Sequence, residues 1–244
     1  MKQITYKNNA LKIAKNLSTI SKIKRDSTEY TPVLFLKDDS GVHIRAQNNA
    51  STIIYNIDFN ETLDIPVEKL CFYDYLEFYK YLDSLDEPEL FYTDDDCVLI
   101  KKDRKKIKYP IADEETIRNQ SKKLKKVQPT TSFKLTSDTL SGMKKIIGLL
   151  GKDDVKINFD IHDNVVDVTV KTDISEINYE DQFELENPVE ESFQLNVTYE
   201  AIKYLLNVDH VIEISQEYKF IKMIFEIDGL NGAIFATADD EGDE

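Results

Sequence analysis

The chain has 244 residues, 41% of them hydrophobic and 10% aromatic, a composition that builds packed cores, excludes disorder and fits one large domain or two of about 120 residues. Seven glycines and six prolines exclude a fibrous or loop-dominated chain, no apolar run approaches the ~18 residues of a membrane span, and MKQITYKNNALKIAKNL at the start is not a signal peptide. The net charge of −15, taken alone, argues against nucleic acid, because phosphate binding runs on Lys and Arg.

In chain order, Gln3–Tyr6 is a predicted strand, and Asn9–Ile20 has helical periodicity with Ala10, Leu11, Ile13, Ala14 and Leu17 on one apolar face. Asn8 or Asn9 is the expected N-cap. Val33–Lys37, Val42–Asn48 and Thr52–Phe59 read as strands, the first two joined by the turn Asp38-Asp39-Ser40-Gly41. A short strand at Leu63–Val67 leads to a helix over Tyr73–Leu85, with Pro88 just beyond its end. Glu89–Tyr92, Val98–Lys102 and Lys106–Ala112 complete three more strands. Residues 114–131 are polar, Lys-rich and interrupted by Pro129, which marks a connector.

The second half repeats the first. Ser132–Leu135 is a strand, and Ser137 or Asp138 caps a helix to about Leu150. Strands follow at Val155–Ile161, Val165–Lys171 and around Ser175–Asn178, and Phe193–Val197 leads into a helix at Tyr199–Leu206. Val211–Ser215, Phe220–Ile227 and Ala233–Ala238 close the chain as strands. Even the endings correspond, Tyr109-Pro110-Ile111-Ala112-Asp113 with Phe235-Ala236-Thr237-Ala238-Asp239. A repeat on this scale reveals architecture directly.

Catalytic and metal signatures are missing. Cys71 and Cys97 form no CxxC pair, and His43, His162 and His210 are isolated. Two reduced thiols place the chain in a reducing cytoplasm. No GxGxxG, Walker A or GxSxG sequence occurs. Asp94-Asp95-Asp96 and Asp153-Asp154 lack EF-hand spacing and suit turns. No catalytic residue, metal or cofactor is expected.

Charge is strongly segregated. Residues 1–25 hold Lys2, Lys7, Lys12, Lys15, Lys22, Lys24 and Arg25 with no acid, whereas the chain ends Asp239-Asp240-Glu241-Gly242-Asp243-Glu244. An acidic protein arranged this way still offers one positive surface to DNA.

In order and pattern the chain resembles the DNA polymerase sliding clamp family, specifically its tailed-phage branch, which is similar to proliferating cell nuclear antigen. The resemblance rests on the doubled pattern, the connector, and the segments Ala10–Ile20, Ile57–Leu82 with its Asp58-Phe59 and Tyr73-Asp74-Tyr75-Leu76 spacing, Ile107–Asp113 and Ala233–Asp239. It implies an α+β DNA-clamp fold: two repeated β-α-β-β-β/β-α-β-β-β domains, with antiparallel sheets outside and two helices per domain lining a ring. Residues 1–113 and 132–244 would be the domains, with 114–131 between them. It also implies a homotrimer that encircles duplex DNA without reading sequence and binds a DNA polymerase and a clamp loader. A viral source, and hence a bacterial host cytoplasm, follows from the phage branch.

On this reading Lys7, Lys12, Lys15, Lys22, Lys24 and Arg25, around the first helix, face DNA phosphates. Lys144 and Lys145 on the third helix, and Lys152 beyond it, take the same role in the repeat. Lys80 and Lys203 are single cations on helices that also carry Asp74, Glu77, Asp83 and Glu200. A solvated helix face is the plain alternative for all of them. The run Lys101, Lys102, Arg104, Lys105, Lys106 and Lys108 suits a solubilising edge turn, a DNA contact or an acidic surface of a neighbouring subunit. For a partner-peptide pocket the resemblance points to Val42, Leu124, Val127, Phe235 and Ala236, each of which also suits ordinary core. The rival function is an acidic DNA mimic that occupies a DNA-binding site on another protein.

Overall fold

The computed structural model describes residues 1–116, 128–150, 155–172 and 175–238. Two compact units emerge, one of Met1–Leu124 with Ile227–Gly232 and the other of Lys125–Glu226 with Ala233–Glu244.

In the first unit the elements run β1 (Lys2–Tyr6), α1 (Asn8–Ser18), β2 (Ile23–Arg25), β3 (Thr28–Tyr30), β4 (Val33–Asp38), β5 (Gly41–Gln47), β6 (Ile53–Asp58), β7 (Leu63–Asp64), β8 (Lys69–Phe72), α2 (Tyr75–Asp83), β9 (Glu89–Thr93), β10 (Cys97–Lys102) and β11 (Lys105–Pro110). One sheet has the order β11-β10-β9-β1-β7 and another contains β6-β5-β4-β8 in that order, while β2 and β3 form a separate hairpin. Alternation builds these strands: Ile53, Tyr55 and Ile57 are buried along β6, while Ile54, Asn56 and Asp58 are half-buried. The core is aromatic. Phe72 has ring contacts with Phe35, Tyr75, Phe78 and Tyr109 at centroid distances of 5.8, 5.3, 4.3 and 6.2 Å.

The second unit follows with β12 (Thr131–Leu135), α3 (Ser137–Leu150), β13 (Val155–His162), β14 (Val165–Thr172), β15 (Ser175–Glu184), β16 (Phe193–Thr198), α4 (Tyr199–Lys203), β17 (His210–Ser215), β18 (Phe220–Ile227) and β19 (Leu230–Thr237). Its strands take the orders β15-β14-β13-β16 and β12-β17-β18-β19. These match β6-β5-β4-β8 and β1-β9-β10-β11 of the first unit position for position, so the sequence repeat is a repeat of topology.

Several boundaries differ from the sequence reading. Leu63–Val67 does not form one strand: β7 covers only Leu63–Asp64 and pairs with β1, because Pro66 has no N–H to continue a ladder. The counterpart of β16 is therefore β8, which pairs with β4 as β16 pairs with β13. The hairpin β2–β3 carries a turn at Asp26–Ser27 with φ of 47° and 68°, the mirror-image turn that matches strand twist. Neither Asn8 nor Asn9 caps α1, whose N-cap is Lys7 with no side-chain hydrogen bond. In α3 the cap is Thr136, whose Oγ1 accepts from Thr139 N at 3.3 Å. The strand expected around Ser175–Asn178 extends to Glu184, and the helix expected over Tyr199–Leu206 ends at Lys203.

Candidate nucleic-acid interface

The acid-free start of the chain becomes a one-sided helix. In α1 the residues Ala10, Leu11, Ile13, Ala14 and Leu17 are buried, which leaves Asn8, Lys12 and Asn16 exposed and Lys15 half-exposed along one stripe. No acid lies in its first turn. Residues three and four apart share a helix face, so Lys12 and Lys15 project together. Lys15 is steadied from α2, its Nζ lying 5.1 Å from the centroid of the Tyr79 ring. Tyr75 of α2 fixes the helix pair by donating to the Leu11 carbonyl at 3.3 Å.

Just beyond α1, the β2–β3 hairpin adds three cations held differently. Lys22 donates to Glu29 at 3.0 Å, so much of its charge is answered locally. Arg25 lies 5.5 Å over the Tyr73 ring, and Tyr73 packs at a tilt against Tyr30, with ring centroids 4.5 Å apart. This leaves the guanidinium cationic while restricting its motion. Lys24 is exposed, as is Lys7 at the N-cap of α1. Lys80 on α2 is exposed, but Glu77 and Asp83 flank it at helical spacing and offset its field.

In the second unit the expected DNA-facing lysines are held differently from one another. Lys144, expected to face phosphates, is half-buried instead: its Nζ donates to the Leu205 carbonyl at 2.5 Å and reaches Asn207 Oδ1 at 3.4 Å. Burial lowers its pKa from the ordinary value of 10.5. Lys144 thus holds α3 against the chain that follows α4, and its charge is committed there. Lys145 is exposed. Lys203 is exposed on α4 and lies 5.1 Å from the Tyr204 ring. Lys152 lies outside the described residues.

Among the pocket candidates, Val42 and Ala236 are core residues, each 2% exposed, and offer no side-chain surface to a peptide. Alternation on β19 turns Phe235 to the opposite face from Ala236, half-buried against Phe220 at 6.3 Å with Lys222 Nζ 5.9 Å away. Leu124 and Val127 lie outside the described residues.

The run Asp94-Asp95-Asp96 serves a turn between β9 and β10, whereas Asp153-Asp154 lies outside the described residues. Asp94 meets the terminal amine at 3.5 Å, Asp95 pairs with Lys108, and Asp96 accepts from Tyr92 at 2.8 Å. Among the described residues no group of three His, Cys, Asp or Glu is placed to hold a metal ion. No helix among them is long and apolar enough to cross a membrane.

Sequence reasoning missed the aromatic supports Tyr79 and Tyr73. A signal for the second existed: Asp26-Ser27 between two short β-prone triplets, Ile23–Arg25 and Thr28–Tyr30, fits a two-residue hairpin.

This doubled architecture, with a cationic helix stripe in its first unit, is the DNA-clamp fold. No protein-family model matches the chain, and no curated protein matches it in sequence. Solved structures do. The chain is similar to proliferating cell nuclear antigen of Entamoeba histolytica with a TM-score of 0.73 at 17% identity, covering 97% of this chain and 98% of that one. It is similar to A. fulgidus PCNA, solved bound to the C-terminal region of FEN-1, with a TM-score of 0.72 at 15% identity over 100% of both chains. A PCNA2–PCNA3 complex from Sulfolobus tokodaii gives 0.71 at 12% identity, covering 99% of this chain and 100% of that one.

Proposed function

We propose that this chain is a sliding clamp, a non-enzymatic processivity factor that closes as a homotrimeric ring around duplex DNA and tethers a polymerase to it. The observation that carries this reading is whole-length likeness to clamps: 97–100% of the chain is covered in each comparison. The acid-free stripe of Lys12 and Lys15, flanked by Lys7, Lys24 and Arg25, supplies sequence-independent phosphate contact in a chain that is otherwise acidic. Lys145 does the same in the second unit. Leu124 and Val127, apolar residues within a Lys-rich connector, are the anchors proposed for peptide tails of the polymerase and the clamp loader. The cytoplasm of a bacterial host is the proposed setting.

The test is topological. Duplex DNA is tethered to a bead at one end and incubated with the protein, and the free end is then left open or blocked by streptavidin. A ring threaded onto the DNA survives a wash in high salt only behind a blocked end. Retention that ignores the end, or protein lost equally from both in salt, contradicts encirclement; protein that never binds the DNA favours the acidic-mimic reading.

A further inference from the structure

The repeat of topology breaks just after α1. Four residues, 151–154, separate α3 from β13, whereas fourteen, 19–32, separate α1 from β4. The extra length includes the hairpin β2–β3, which forms a two-stranded sheet of its own. Two strands alone are at best marginally stable in water, and the foot of this hairpin is pinned on several sides. The Thr31 carbonyl accepts from Tyr75 N at 2.9 Å, and Thr31 Oγ1 donates to Asp74 Oδ1 at 2.7 Å. Ser21 Oγ donates to the Pro32 carbonyl at 3.0 Å, and Asn49 Nδ2 to the Lys22 carbonyl at 3.0 Å.

The pinned hairpin presents a cluster of planar groups. The register pairs Ile23 with Tyr30 and Arg25 with Thr28, so alternation puts these four on one face. Tyr73 lies against that face and touches both ends of it: its ring centroid is 4.5 Å from that of Tyr30 and 5.5 Å from the Arg25 guanidinium carbon. The two tyrosines are half-buried and Arg25 is exposed, so the guanidinium is backed by a ring and keeps an open side. Lys24 beside it is exposed, Glu29 is answered by Lys22 at 3.0 Å, and Asp26 is the acid of the turn. The same neighbour supports the α1 stripe, since Tyr79 of α2 lies against Lys15 as Tyr73, just ahead of α2, lies against Arg25.

Lysines such as Lys12 and Lys15 meet phosphate as point charges. A guanidinium backed by aromatic rings adds a flat surface, and flat surfaces recognise bases that are not already stacked inside a duplex. We propose that the β2–β3 hairpin, through Arg25 and Tyr73 backed by Tyr30, binds unpaired bases of DNA where a single strand leaves the duplex held by the α1 stripe. The proposal rests on the DNA-binding reading of that stripe, which the chain leaves only at Thr19–Lys22 before entering the hairpin. The occupant is nucleic acid because the hairpin continues an acid-free cationic segment, residues 1–25, in a chain whose net charge is −15.

Fluorescence anisotropy of the full chain with two labelled DNAs of equal duplex length, one blunt and one carrying a thymidine overhang, tests this at low salt. The unaltered chain favours the overhang about fivefold or more. Arg25→Lys keeps the charge but loses the plane, and Tyr73→Leu removes the backing ring; each cuts the preference to about twofold or less. Lys12→Ala with Lys15→Ala weakens both DNAs in proportion. Two results overturn the proposal: an unaltered chain with no preference, and an Arg25→Lys variant that keeps the full preference, which would leave Arg25 a point charge on phosphate. Neither result touches the clamp reading, which stands or falls on retention behind a blocked end. A chain that prefers the overhang but shows no such retention keeps the hairpin site and loses the ring.

Discussion

Replacing Lys12 and Lys15 by alanine separates DNA contact from stability. The two side chains lie three residues apart on one stripe of α1, so their Cα atoms are about 4.5 Å apart along the axis. That spacing suits neighbouring phosphates at ~3.4 Å per strand, and each neutralised phosphate contributes about 0.9 to the slope of log affinity against log salt. Losing both lowers the slope by about 1.8 per engaged helix, so a roughly tenfold defect at 50 mM salt fades by 200 mM. The fold loses only the Lys15–Tyr79 contact, about 0.5–1 kcal/mol, partly offset by the helix propensity of alanine. Fluorescence anisotropy on a short duplex at 50, 100 and 200 mM salt reads the slope, and thermal unfolding reads the fold. An unchanged slope refutes the assignment of this stripe to DNA. A melting loss well beyond about 4 °C would mean that the lysines serve packing.

Phe72→Ala removes the ring at the centre of the aromatic core of the first unit and costs about 3–5 kcal/mol in chemical denaturation. A loss under about 1 kcal/mol contradicts that packing role. Lys144→Met keeps the buried stem but removes the bonds to Leu205 and Asn207; it costs about 1–2 kcal/mol and leaves DNA affinity unchanged. Lys145→Ala does the reverse, and interchanged effects would restore Lys144 to the DNA-facing set. Two histidines give opposite pH trends. Burial lowers the pKa of His210 from the ordinary 6.5, so its contribution is present above 6.5 and lost as pH falls. His210→Leu therefore flattens the acid-side fall in melting temperature, and an unchanged fall contradicts this. The hydrogen bond from His162 to Asp167, 2.8 Å long, raises the pKa of His162. Its contribution is present below 6.5 and fades as pH rises through the raised value. His162→Asn should therefore cost more at pH 5.5 than at pH 8.5, and an equal cost at both would sink it.

The repeat was legible because its strands and helices are written in two periods that do not blur. Val155–His162 alternates buried residues with half-buried or exposed ones throughout, and α1 keeps an unbroken apolar stripe. What periodicity could not locate was partnership. Pro66 splits a stretch that looks apolar enough for one strand, and only sheet pairing reveals β8 as the counterpart of β16. β2 and β3 are 3 residues each, too short for alternation to register.

The clustering of cations in residues 1–25 was legible, but not how each cation is disposed. The lysines at 12, 15 and 144 look alike in the sequence. Yet Lys12 is exposed, Lys15 rests beside Tyr79, and Lys144 is tied to a carbonyl 61 residues away. Long-range contacts decide which cations remain free, and no local pattern encodes them. Val42 and Ala236 mislead in the same way, since an apolar side chain reads alike in a core and in a pocket.

Solution mass by light scattering coupled to size exclusion, at low salt and over a range of concentrations, tests encirclement most directly. A clamp of three chains gives a mass near three times 28.3 kDa, falling on dilution. A mass that stays at one chain even at high concentration would leave the fold in place and contradict the ring.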